Sequence, residues 1–216
     1  MGLELITPSA VSPEADPTFD ALRVTQRPAE AQGAFRVAGF SGLTTGIAAN
    51  GALFLFRNPD PAKLVLLQYL KIRAVVVTGF TAAQELGFDA LTYRNWQVDA
   101  GGTLLSVASH NMKKRNTLAG SIANIRVPAA AAITTPAGPA VADGNPFLVG
   151  MGKTLAAAGT VQDAAFEEEF DATNGSDYPI VLGQNEGFAI RNSIAMGAAG
   201  TVRWAMTVAW LENPAH

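Results

Sequence analysis

From residue 186 to 211 apolar side chains recur at nearly every second position. Phe188, Ile190, Ile194, Met196, Val202, Trp204, Met206, Val208 and Trp210 take the even places. Ala189, Arg191, Ser193, Thr201, Arg203, Thr207 and Ala209 take odd ones. Successive side chains of a strand point to opposite faces, so this period predicts two half-buried strands sharing one core face. Gly197, Ala198, Ala199 and Gly200 between them read as a short hairpin loop.

The same alternation recurs upstream. Phe35 and Val37 oppose Arg36 in a strand over residues 34–40. Residues 64–77 place Leu64, Leu66, Leu70, Ile72, Ala74 and Val76 on one side, and Tyr69, Lys71 and Arg73 on the other. That is a long strand with one wet or interface-facing side. Asn50-Gly51 predicts a hairpin between residues 43–48 and 52–57, and Asn58-Pro59-Asp60-Pro61 a turn. Residues 81–85 read as one helical turn before Leu86, Phe88 and Ala90 resume the alternation. Residues 103–108, 122–127 and 130–135 read as further strands, 136–146 as a proline-rich loop, and 163–178 as an acidic, irregular segment.

Eight to ten strands and almost no helical pattern predict an all-β fold, a jelly-roll-like antiparallel β-sandwich over residues 33–216. A doubly wound α/β fold would need helices of about 10–15 residues between the strands, and the pattern holds none. Residues 1–32 differ. Pro8, Pro13, Pro17 and Pro28 punctuate them and disfavour helix, which predicts an extended N-terminal arm. Leu5, Ile6, Phe19 and Leu22 are its candidate anchors on a neighbouring subunit.

Composition sharpens this picture in two ways. Only 15% of the 216 residues are charged while 49% are hydrophobic, which fits equally surface buried against other chains or an alanine-rich sequence whose hydropathy builds no core. The formal net charge is −3, so no global basic field draws nucleic acid or an anionic membrane. Absent cysteine removes disulfides, thiolate metal sites and cysteine nucleophiles. Neither a signal peptide nor an apolar span is legible, so the expectation is a chain used or assembled in the cytoplasm.

Candidate chemistry is sparse. Gly150-Met151-Gly152-Lys153-Thr154 has the end of a phosphate-binding loop, but Phe147 stands where that loop needs its first glycine. Residues 171–177 fail the EF-hand spacing, with Gly175 at loop position 5 and Leu182 at position 12. That leaves Glu169, Asp171 and Asp177 as a non-EF calcium alternative. His110 and His216 are the only histidines, and no nucleophile elbow accompanies them. Glu167-Glu168-Glu169 are adjacent rather than flanking a sugar. Lys113, Lys114 and Arg115 form the one basic cluster. Three cations can contact phosphates, but no aromatics interleave to stack bases, so a loop docking on an acidic protein neighbour fits at least as well as nucleic acid. Tyr93 and Trp96 are candidates for a carbohydrate platform or for core aromatics. No cofactor and no metal is expected, and no enzymatic activity.

Two stretches carry a resemblance. They are Gln184-Asn185-Glu186-Gly187-Phe188-Ala189-Ile190-Arg191-Asn192, continued by residues 196–204, and Gly79-Phe80-Thr81-Ala82-Ala83-Gln84-Glu85-Leu86-Gly87-Phe88-Asp89. Together they resemble structural proteins of tailed-bacteriophage virions, in particular capsid cement or decoration proteins. The resemblance implies a non-enzymatic β-sandwich that clamps the major capsid protein on the capsid exterior. It also implies a homo-oligomer, a trimer foremost, and transfers no catalytic residue. The alternative is a tail or baseplate protein that binds a surface carbohydrate through Tyr93, Trp96 and the acidic loop.

Overall fold

The computed structural model describes residues 14–16, 21–23, 33–105, 120–133, 139–153, 163–169 and 180–214. Among them every regular element is a strand. In chain order these are β1 (Glu14–Asp16), β2 (Ala21–Arg23), β3 (Ala34–Phe40), β4 (Gly51–Asn58), β5 (Lys63–Thr78), β6 (Glu85–Arg94) and β7 (Thr103–Leu104). There follow β8 (Asn124–Val127), β9 (Val141–Ala142), β10 (Leu148–Lys153), β11 (Asp163–Glu169), β12 (Ile180–Leu182), β13 (Glu186–Asn192) and β14 (Thr201–Pro214).

The strands form two main antiparallel sheets. The larger has the order β10-β6-β13-β4-β8-β7, with β9 also on β6. The smaller has the order β11-β5-β14-β3, with β12 also on β5, and β1 and β2 pair only with each other. Eight of the strands are paired in a nested way: β3 with β14, β4 with β13, β5 with β11 and β6 with β10. Consecutive members of this set change sheet at each step except from β6 to β10, which are neighbours.

Between the two sheets lies one apolar core. Phe54, Phe56, Phe88, Phe188 and Ile190 of the larger sheet meet Phe35, Leu70, Ile72, Val202, Trp204, Met206, Val208 and Trp210 of the smaller. Phe56 stacks on Phe188 at 5.2 Å and meets the Trp210 ring edge-on, also at 5.2 Å, so aromatic contacts bridge the layers. A second cluster (Ala52, Leu55, Leu91, Tyr93, Trp96, Ile133 and Ala189) covers part of the larger sheet's other face. The larger sheet is thus buried on both sides over much of β4, whose alternation is correspondingly lost.

The alternation over residues 186–211 faces one core, but from opposite sheets. β13 belongs to the larger sheet and β14 to the smaller, so residues 197–200 cross between layers and make no hairpin. A period of two gives faces and not partners, which is why the two arrangements look alike in sequence. Asn50-Gly51 likewise turns, with Asn50 at φ 65°, but residues 43–48 form no strand. Thr44 instead bridges to Val202.

On β5 the register corrects two of the six predicted core positions. Ala209 lies opposite Tyr69 and Trp210 opposite Leu67, so Gln68 is an extra, unpaired residue. That bulge reverses the phase. Leu70, Ile72, Ala74 and Val76 are buried as expected, but below the bulge Val65 and Leu67 enter the core in place of Leu64 and Leu66.

Local structure departs from the pattern at four other places. Residues 81–84 form no helical turn; Gln84 instead accepts a hydrogen bond from the Gly197 amide at 2.9 Å. Within 130–135 the described chain makes only an isolated bridge, Ile133 to Ala52. The predicted 136–146 loop contains the short β9. Residues 163–169 of the acidic segment are a regular strand on β5, because backbone pairing with a long central strand overrides the weak β-propensity of glutamate.

Candidate interaction surface

The outer face of the smaller sheet is an open surface that the register builds. It is made of rungs running across β3, β14, β5 and β11. One rung is Phe40, Ala205, Arg73 and Ala165; the next is Ala38, Thr207, Lys71 and Glu167; the third is Arg36, Ala209, Tyr69 and Glu169. Beyond the first rung Arg203 pairs with Val75, and Val75 with Asp163. These are the odd positions of β14 and β5, and the same pleat that buries Trp204 and Ile72 turns them outward, with Ala209 alone covered.

Shape on this face follows from residue size. β14 contributes a column of small side chains, Ala205, Thr207 and Ala209, while β5 contributes a column of long ones, Tyr69, Lys71 and Arg73. Across Ala209 the Arg36 guanidinium carbon stands 5.6 Å from the centre of the Tyr69 ring, which buries that alanine. Phe40 at the end of β3 is 71% exposed, and Leu43 and Val77 are exposed as well.

Charge on the face is divided. Arg36, Lys71, Arg73 and Arg203 lie on β3, β5 and β14, and Arg36, Arg73 and Arg203 are solvent-exposed. The acidic positions Asp163, Glu167 and Glu169 occupy the edge strand β11. Arginine and exposed aromatic residues are the side chains enriched at protein–protein interfaces.

Several other charges are engaged within the fold. Arg57 donates to Asp99 through both Nε and Nη2, and Asn124 adds a third hydrogen bond to the same carboxylate at 2.7 Å. Arg191 forms a two-point pair with Asp89, at 2.9 and 2.8 Å, which raises its already high pKa. Thr92 and Arg94 donate to Asp143; the Thr92 hydroxyl is the main cause that holds this carboxyl below its ordinary value. Among the described residues no three histidine, cysteine or acidic side chains come together to hold a metal ion.

Many of the residues singled out from sequence lie outside the described residues: Leu5, Ile6, Phe19, Lys113, Lys114, Arg115, His110, His216, Asp171 and Asp177. Of Leu22 and Glu169 only the backbone is described, in β2 and β11. Residues 150–153 belong to strand β10 and form no phosphate loop; a side chain at Gly150 would come within 2.0 Å of Phe88. Tyr93 and Trp96 are buried, at 7% and 0% exposure, and meet edge-on at 5.8 Å. They pack the second cluster and offer no open platform for a sugar. Arg36, Phe40, Arg73 and Arg203 escaped the sequence reading as site residues, although their signal was present as the outward phase of three strands.

Comparison with protein-family models and with curated protein sequences finds no match to either.

Proposed function

We propose that the sandwich is a jelly roll and that the protein is a non-enzymatic virion structural protein, which binds and stabilises a tailed-phage capsid shell from outside. The nested pairing carries this reading: β3 with β14, β4 with β13, β5 with β11 and, innermost, β6 with β10. A long hairpin rolled up in this way is the double-sheet arrangement found among viral capsid proteins, lectins and cupins. Fold analogy alone names no function. The resemblance of residues 79–89, 184–192 and 196–204 to cement proteins narrows it to the shell.

The molecule's surfaces support the same reading. A chain with only 15% charged residues suits burial against other chains, and attachment at many lattice points multiplies modest contacts. The major capsid protein is the partner that follows, with residues 1–32 as the reaching arm. Co-sedimentation of the purified chain with empty tailed-phage shells, followed by heating of the decorated shells, tests this. Saturable binding with a raised shell-disruption temperature is expected; shells that pellet bare overturn it.

A further inference from the structure

We infer that the outer face of the smaller sheet is a self-association surface that pairs two copies of this chain about a two-fold axis. The pairing follows from the arrangement of that face and is independent of shell binding.

Consider the strand order β11-β5-β14-β3 laid face to face on a second copy, with the axis parallel to the strands. The rotation reverses the strand order and leaves the rung order unchanged. The acidic edge β11 of each copy then comes over the β3 edge of the other, and β5 comes over β14. Rung by rung, the Glu169 position meets the Arg36 position, and the Glu167 position meets that of Ala38. In the two rungs beyond, the long Lys71 and Arg73 come over the small Thr207 and Ala205, while Ala209 is already covered within each copy by Arg36 and Tyr69. An isologous contact requires a patch complementary to itself, and here both charge and relief satisfy that requirement.

Size is adequate. Four strands about 4.8 Å apart and seven residues at about 3.4 Å give a flat area of roughly 450 Å² per copy. Two such faces bury roughly 900 Å² in all, close to the roughly 1,000 Å² of a specific interface and fitting a weak dimer. A single acidic partner fits less well, because the β11 edge would repel it. A nucleic acid backbone meets the same obstacle, on a chain whose net charge is −3.

The test is a charge swap on the full chain, read by mass photometry and sedimentation equilibrium. Wild type is expected to be dimeric at micromolar concentration and to loosen as salt rises. Arg36→Glu and Glu169→Arg should each weaken the dimer at least ten-fold, and an equimolar mixture of the two should restore it as a heterodimer. Restoration on mixing also excludes misfolding as the cause. Arg94→Glu, on the other sheet, should leave the dimer intact. A wild-type monomer at tens of micromolar, a trimer unaffected by Arg36→Glu, or no restoration on mixing would each overturn the inference. A monomer that nonetheless decorates shells would overturn it while leaving the proposed function standing.

Discussion

Lys63 donates to Glu212 at 3.1 Å, joining the first residue of β5 to the far end of β14. The glutamate sits at an even, inward position, where the apolar run that includes Trp204, Val208 and Trp210 would place another hydrophobic residue. Its side chain is 1% exposed, but no oxygen is left alone. Oε1 accepts from Ser121 Oγ at 2.6 Å, the Ile122 amide at 3.1 Å and Trp210 Nε1 at 3.1 Å. A buried carboxylate is tolerated when it is paired and fully hydrogen-bonded.

Removing the carboxylate should therefore cost far more than removing its cation. Glu212→Ala is expected to lose about 3–5 kcal/mol in urea unfolding, because Ser121 Oγ, the Ile122 amide and Trp210 Nε1 lose their common acceptor at about 1–3 kcal/mol each. Lys63→Met should lose less than half as much. The lysine is 27% exposed, and three neutral donors still hold the glutamate. Equal losses would show that the ion pair, and not the hydrogen-bond set, holds this end of the sheet.

Deleting Gln68 should leave the core face of β5 in place. Without the extra residue Leu67 follows Tyr69 directly, and plain alternation keeps Val65 and Leu67 inward, still opposite their partners on β14. The Tm should therefore move little; a fall of roughly 8–16 °C, the equivalent of about 4 kcal/mol, would show that the bulge itself holds the sheet together. Gln68→Ala keeps the count and should change Tm little. Differential scanning calorimetry of both variants decides this.

Two glycine substitutions separate close approach from open space. A Cβ at Gly42 would lie 1.4 Å from the Ala129 carbonyl oxygen, which is backbone and cannot step aside. Gly144 has nothing within 4 Å of that position. Gly42→Ala is expected to destabilise by more than about 2 kcal/mol and Gly144→Ala to stay within about 0.5 kcal/mol, measured by chemical denaturation.

Asp143 gives a pH prediction. Its carboxyl is held below the ordinary value by the Thr92 hydroxyl, with burial acting against this and Arg94 helping. A lowered folded pKa means that the contribution is present above the unfolded value of about 3.9 and is lost as pH falls through the folded one. Thr92→Val removes the largest cause, so the Asp143 midpoint seen by carbon-detected NMR should move up toward the ordinary value. An unmoved midpoint would shift the credit to Arg94.

The fold class and the core faces were readable from sequence because half-buried strands leave a period of two, as in Val202 to Trp210. Partners were not. Residues 186–192 and 201–211 read as one hairpin because alternation carries no information about which sheet a strand joins. Gln68 hid its bulge because a polar residue within a long apolar strand looks like any outward position. β11 opens with Asp163-Ala164-Ala165-Phe166 and then runs acidic, a composition with little β-propensity, so only the pairing with β5 reveals the strand. The open face was legible as the outward set Tyr69, Lys71, Arg73, Arg203 and Thr207. Its charge division was not, since β3 and β11 start about 130 residues apart and meet on one sheet only through β14 and β5.

The most direct measurement of the central claim is electron cryomicroscopy of empty tailed-phage shells incubated with the full chain. The account predicts ordered added density at regular lattice positions, into which the two-sheet body fits with its nested strands. Shells that remain bare at saturating protein, while the chain itself stays folded, would contradict it.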